Sequence, residues 1–159
     1  MMTDEKRTVR VSLTQDQPLG EETRMSLQSH VANLTVPQKL ELAVKGNREV
    51  RQILSRDPNS LVARAVVNSP RLTDSDVISF AGSSLTSEDV LRGIAEDREW
   101  SKNGRVKLLL VSNPKTPPAV ALRFLGHLPV SELGILARNR NVSPIIRREA
   151  KRRSTRNRT

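Results

Sequence analysis

The chain has no cysteine and no tyrosine, and only one tryptophan, two phenylalanines and two histidines among its 159 residues. Without a thiol there is no disulfide framework, no thiolate zinc site, no iron–sulfur cluster and no cysteine nucleophile. That fits a reducing compartment, and the expected location is the cytoplasm. Apolar runs are short as well. None approaches the roughly 18 residues that a bilayer-spanning helix needs, and "MMTDEKRTVRVSLTQDQPLG" at the start has no apolar stretch of the kind a secretory signal carries. No membrane insertion is expected. The seven glycines are scattered, and "KGN" at 45–47 reads as a helix stop, not a phosphate-cradling loop.

These shortages leave little to do chemistry with. His30 falls in a polar N-terminal stretch and His127 beside a helix end, where a solvated histidine is the ordinary outcome. The carboxylate pair Glu88/Asp89 sits in a helix first turn, where negative charge complements the dipole. A helical DNA glycosylase would need aromatic side chains around an extruded base, and both phenylalanines fall on the apolar stripe of a helix. The expectation is therefore no enzyme, no cofactor and no metal site.

Carboxylates are scarce in one half only. Residues 1–100 hold 13 Lys/Arg and 15 Asp/Glu, whereas residues 101–159 hold 14 and 2. The net charge of +10 thus belongs to the C-terminal half. A block of one sign points to an acidic protein or a nucleic acid as partner.

What the sequence has in quantity is punctuated helix. "VKLLLV" at 106–111 runs into "SNPKTPPAV" at 112–120, with three prolines in seven positions, and "NSPRLTDSDV" repeats the interruption 44 residues earlier. A proline drives the residue before it out of the α region and cannot continue the helix itself, so each apolar segment is stopped on cue. Capping residues then restart the chain: Thr35 with Gln38, Thr73 with Asp76, Thr86 with Asp89, Thr116 before Pro117 and Ser143 before Pro144. An offset of 44 pairs Val62 with Val106, Val67 with Val111, Pro70 with Pro114, Phe80 with Phe124 and Gly82 with Gly126. The apolar spacing predicts nine short helices, near 37–46, 48–56, 61–68, 74–82, 87–96, 104–112, 117–127, 131–138 and 144–153. Helices of that length are marginal alone, so they must stack. "LVARAVV" and "VKLLLVS", apolar nearly all round, are expected to be inner helices, with Leu109, Leu110 and Phe124 in the core.

The stretch "VKLLLVSNPKTPPAVALRFLGH" at 106–127 resembles the leucine-rich repeat variant, a class within the armadillo and HEAT type of α-solenoid. The resemblance spans residues 48–153 and implies a right-handed superhelix of short helices. The chain departs from the family in its longer period and in lacking the cysteine-ligated cluster domain described for one member, so no redox function carries over.

The expected architecture is all-α: an α-solenoid of about nine helices at 35–153, a disordered N-terminal arm at 1–34 and a basic tail at 154–159. Within the arm, Val9, Val11 and Leu13 alternate as a strand would. The expected function is a non-enzymatic adaptor or scaffold that binds another protein, with an acidic surface, through the solenoid. The alternative is a nucleic-acid-binding protein that lays its basic C-terminal half along a phosphate backbone. Candidate partner-binding residues are Arg98, Trp100, Lys102 and Arg105 at a repeat junction, Arg138 and Arg140, and the C-terminal cluster Arg147, Arg148, Lys151, Arg152, Arg153, Arg156 and Arg158. Trp100 reads either as a hydrophobic plug over the junction or as an exposed anchor. Arginine outnumbers lysine in the last thirteen residues, which suits bidentate recognition of phosphate or carboxylate. The identity of the partner and the number of copies stay open.

Overall fold

The computed structural model describes residues 12–156, so Val9 and Val11 of the alternating stretch, and Arg158, lie outside the described residues. Those residues form ten α-helices and one 3₁₀ turn, with no strand. The helices are α1 (Glu21–Ala32), α2 (Val36–Lys45), α3 (Arg48–Leu54), α4 (Ser60–Val67), α5 (Asp74–Gly82) and α6 (Glu88–Glu96), then α7 (Gly104–Ser112), α8 (Pro118–Leu125), α9 (Val130–Arg138) and α10 (Pro144–Arg156). The 3₁₀ turn, Trp100–Lys102, joins α6 to α7.

The starts follow from local chemistry. Asn47, Asn59 and Asn103 cap α3, α4 and α7 by accepting N–H groups of the first turn on Oδ1. Thr73 and Asp76 form the expected capping box, and Gln38 Oε1 accepts from the Thr35 N–H at 2.9 Å. Two caps move by one residue. Ser87, not Thr86, takes the Val90 N–H, and α8 starts from Pro117 with Thr116 one place outside. Both threonines are buried beneath the turn, where a β-branched side chain fills space and its hydroxyl does not reach the helix end.

Packing arranges the helices in two rows. α2, α4 and α6 stack in one, and α1, α3, α5 and α7 in the other. At the C-terminal end the pattern changes: α7 packs on α8, and α10 packs on both α8 and α9. The stacking unit is thus a pair of helices, which corrects the 44-residue period. An offset of 44 spans three helices and lays α4 over α7, which belong to opposite rows. The stop-and-cap signal recurs at every helix, so self-alignment registers on it without regard to which row a helix joins. The core runs between the rows through Val62, Val66, Phe80, Leu91, Ile94, Leu110, Leu125 and Ile146. Leu109 is only half-buried, its neighbour Leu110 taking the inner position, and Leu61 of α4 is exposed.

The N-terminal boundary is also corrected. α1 lies within the stretch expected to be disordered; it packs on α3 and buries Leu27 and Val31. Its sequence, "EETRMSLQSHVA", offers just two core residues at i and i+4, too narrow a stripe to stand out from a polar tail. Ahead of it, residues 12–19 run over the body and pack Leu13 and Leu19 against the core. At the other end α10 continues through Arg156, past the expected limit at 153.

Candidate functional site

α10 starts with Pro144 in its first turn and buries Ile146 and Ala150, one turn apart, against α8 and α9. The opposite face is almost entirely cationic. Ile145, Arg148, Arg152 and Arg156 follow one another at i, i+3, i+7 and i+11, with Lys151 beside them, and all are exposed. The stripe is about 16 Å long at 1.5 Å per residue. Ile145, 46% exposed, stands at its N-terminal end in line with the arginines.

Glu149 is the single carboxylate of this helix. Arg152 grips it with two bonds, Nε to Oε2 at 2.8 Å and Nη2 to Oε1 at 2.6 Å, and Arg153 Nε adds a third at 2.6 Å. Hydrogen bonds from Arg152 and then Arg153 hold the Glu149 carboxyl well below its usual range, at about 2. The Arg153 guanidinium also lies over Gly126, with Nη1 2.8 Å from where a Cβ would stand, so a larger residue there would push the guanidinium aside. Arg152, Arg153 and Arg156 together line a cleft of about 450 Å³ whose floor is Leu125, Leu128 and Leu133. Arg147 is half-buried, and its Nε has no hydrogen-bond partner among the described residues. Arg138 and Arg140 are exposed at the end of α9 and in the turn before α10, beside the N-terminal end of the stripe.

The other sequence candidates do not join this face. Lys102, in the 3₁₀ turn, and Arg105, in the first turn of α7, are exposed, Lys102 paired with Glu99 at 3.2 Å. Trp100 turns inward: its ring packs against the core and Nε1–H donates to Asp74 Oδ1 at 3.3 Å, tying the 3₁₀ turn to the start of α5. Arg98 lines a groove of about 720 Å³ between α4 and α6 with Arg64 and Arg92, facing Asp89, Glu96 and Asp97. Its charges are mixed, and Arg92 is held by Glu88 at 2.8 Å.

Sequence reading passed over two cations. Lys107 and Arg123 flank a cleft of about 400 Å³ between the α6–α7 and α8–α9 turns, where Arg123 Nη2 donates to Ala95 O at 2.9 Å and its guanidinium lies 4.8 Å from the Phe124 ring centre. Their place on amphipathic helices hid them, because only packing shows that the two turns adjoin. His127 Nδ1 sits 3.0 Å from Arg123 O on the exposed rim. Among the described residues no group of three or more His, Asp or Glu is placed to hold a metal ion, and no helix is long and apolar enough to cross a membrane. Comparison with protein-family models, with curated proteins and with solved structures gives no match.

Proposed function

We propose that this chain is a non-catalytic helical-repeat adaptor that docks an acidic surface of another protein on the outer face of α10. The carrying observation is Ile145, an exposed isoleucine in line with Arg148, Arg152 and Arg156. An apolar anchor beside arginines is the composition of a protein interface, in which aromatic, apolar and Arg side chains do most of the work and charge complementarity sets partner and approach. A phosphate backbone offers an isoleucine nothing. The same stripe has no Asn or Gln to read base edges and no aromatic ring for a base to stack on, which counts against nucleic acid.

The test is affinity capture by the full chain, with and without nuclease, alongside Ile145→Ser and Arg148→Glu/Arg152→Glu. A partner held through nuclease treatment and lost in both variants supports the reading. Capture that disappears with nuclease, or that ignores Ile145→Ser while log K falls linearly with log salt at about −0.9 per phosphate contact made, replaces it with backbone binding to nucleic acid.

A further inference from the structure

At the opposite end of the molecule, a short stretch of main chain is held almost entirely through its carbonyl groups. Asn47 is 1% exposed, and its side chain serves two masters: Oδ1 accepts from the Val50 N–H at 2.9 Å, while Nδ2 donates outward to Ser12 O at 2.8 Å and Gln15 O at 3.0 Å. The Asn47 backbone N–H donates to Leu13 O at 2.7 Å, and Arg71 Nη1 to Thr14 O at 2.7 Å. Four consecutive carbonyls, 12 to 15, are thereby taken by two residues. Asp16 follows, with Oδ1 accepting from the Arg48 N–H at 2.8 Å, and Ser12 Oγ accepts from the Gln15 N–H at 3.1 Å and closes the bend.

The receiving side is built into the fold. Arg71 Nη1 also donates to Lys45 O at 2.6 Å, and Arg51, a buried residue of α3, donates to Gly46 O at 3.0 Å. Gly46 itself has no room for a Cβ against Leu42 O and Val50. The segment it receives is lightly held by comparison: Thr14, Gln15, Asp16, Gln17 and Pro18 are exposed, and only Leu13 and Leu19 reach the core. Main-chain hydrogen bonds exchange for water at a net of roughly 1 kcal/mol each, so such a strap detaches far more easily than a helix. A buried amide whose donors face a replaceable chain is a main-chain recognition site.

We infer that Asn47 and Arg71 form a peptide-binding clamp, filled in cis by residues 12–16, that takes a bent segment of a partner protein of the pattern Ser-Leu-x-x-Asp. The acidic fifth position is selected by Arg48 N–H and by the surrounding cations Lys45, Arg48 and Arg71, all exposed. The leucine is selected by the half-buried site that Leu13 fills. This site is separate from the α10 face and stands or falls without it.

The test uses the full chain and a fluorescent peptide with the sequence of residues 12–19, read by anisotropy. In the wild type the tethered segment competes at an effective concentration on the order of 1 mM, so a peptide with a Kd of about 100 μM binds about tenfold more weakly than it does once the strap is released. Leu13→Ala/Asp16→Ala releases the strap and leaves the clamp intact. The expected result is that gain of about tenfold, lost again on adding Arg71→Ala, an exposed position, and absent for a peptide whose Leu and Asp are replaced by Ala. Equal binding of both peptides, or no gain in the released chain, overturns the inference. So does a concentration-dependent dimer of the wild-type chain in sedimentation, which would mean that the clamp serves arm exchange between two copies.

Discussion

Arg51 of α3 and Asp76 of α5 form an ion pair, Nη2 to Oδ2 at 2.8 Å, with both side chains almost wholly buried. Oδ2 of the same carboxylate accepts from Arg51 Nε at 3.1 Å and from the Thr73 N–H at 3.1 Å, while Arg51 Nη1 reaches Gly46 O at 3.0 Å. One carboxylate therefore caps α5, and its partner braces the α2–α3 turn that carries Asn47. Removing one member of such a pair leaves the other charged and unpaired in the interior.

Asp76→Ala is accordingly expected to cost about 3–5 kcal/mol in urea denaturation, the range for breaking a buried pair. Arg51→Met with Asp76→Leu removes both charges and is expected to cost less than Asp76→Ala alone. A double variant as unstable as the sum of its singles would show that the two side chains act independently, against the geometry.

Leu110→Ala is expected to cost about 2–5 kcal/mol, as complete removal of a core leucine does. Leu110 is 0% exposed, whereas Leu109 is half-buried, so Leu109→Ala is expected to cost clearly less. Thermal melts of the two variants, ranked against each other, check the assignment of the inner face of α7.

That ranking illustrates what could be read before the fold was known. Proline stops and capping residues are chemistry within a few positions, so all nine expected helices began within one residue of their observed starts. Which residue of "KLLL" faces inward depends on how α7 leans on α5 and α8, and the run is apolar on nearly every side. α1 was missed for the converse reason, since two buried side chains in twelve residues leave almost no period to detect. For the candidate site, the cationic run of α10 was legible, but its spacing groups Ile145 with Ile146 and Ala150 in one apolar stripe, whereas only Ile146 and Ala150 are buried and Ile145 is exposed on the cationic side. Trp100 was not assignable, because its partner Asp74 lies 26 residues away in sequence. The clamp was invisible, since it is made by an amide and a guanidinium closing on main-chain carbonyls, which carry no residue signature.

Thr86 and Thr116 each hold a buried hydroxyl with no hydrogen-bond partner among the described residues. Burying an unpaired hydroxyl is unfavourable, so exchange for a methyl of nearly the same volume recovers that penalty. Thr86→Val and Thr116→Val are expected to be neutral or stabilising by about 1 kcal/mol. A clear loss of stability in either variant would reveal a hydroxyl partner and restore threonine as a cap of α6 or α8.

Glu149 supplies a test in pH. Its folded carboxyl titrates at about 2 against the usual 4.5, because Arg152 and then Arg153 hydrogen-bond its charged form. A carboxyl depressed on folding stabilises the fold fully above its unfolded value and loses that contribution as pH falls through its folded value. The Glu149 contribution is therefore complete above about 4.5 and fades between there and about 2. Glu149→Gln cannot ionise, so at pH 7 it is expected to be less stable than the wild type. Between pH 4.5 and 2 the two melting temperatures are expected to converge, as both chains come to carry a neutral side chain at this position. The carboxyl resonance of Glu149, followed by NMR, is expected to move with a midpoint near 2. A midpoint near 4.5, or a gap between the two chains that does not change with pH, would mean that Arg152 and Arg153 do not hold this carboxylate in solution. They would then be free to meet a partner without giving it up, and an acidic surface of the kind proposed for α10 would face both guanidinium groups uncommitted to Glu149.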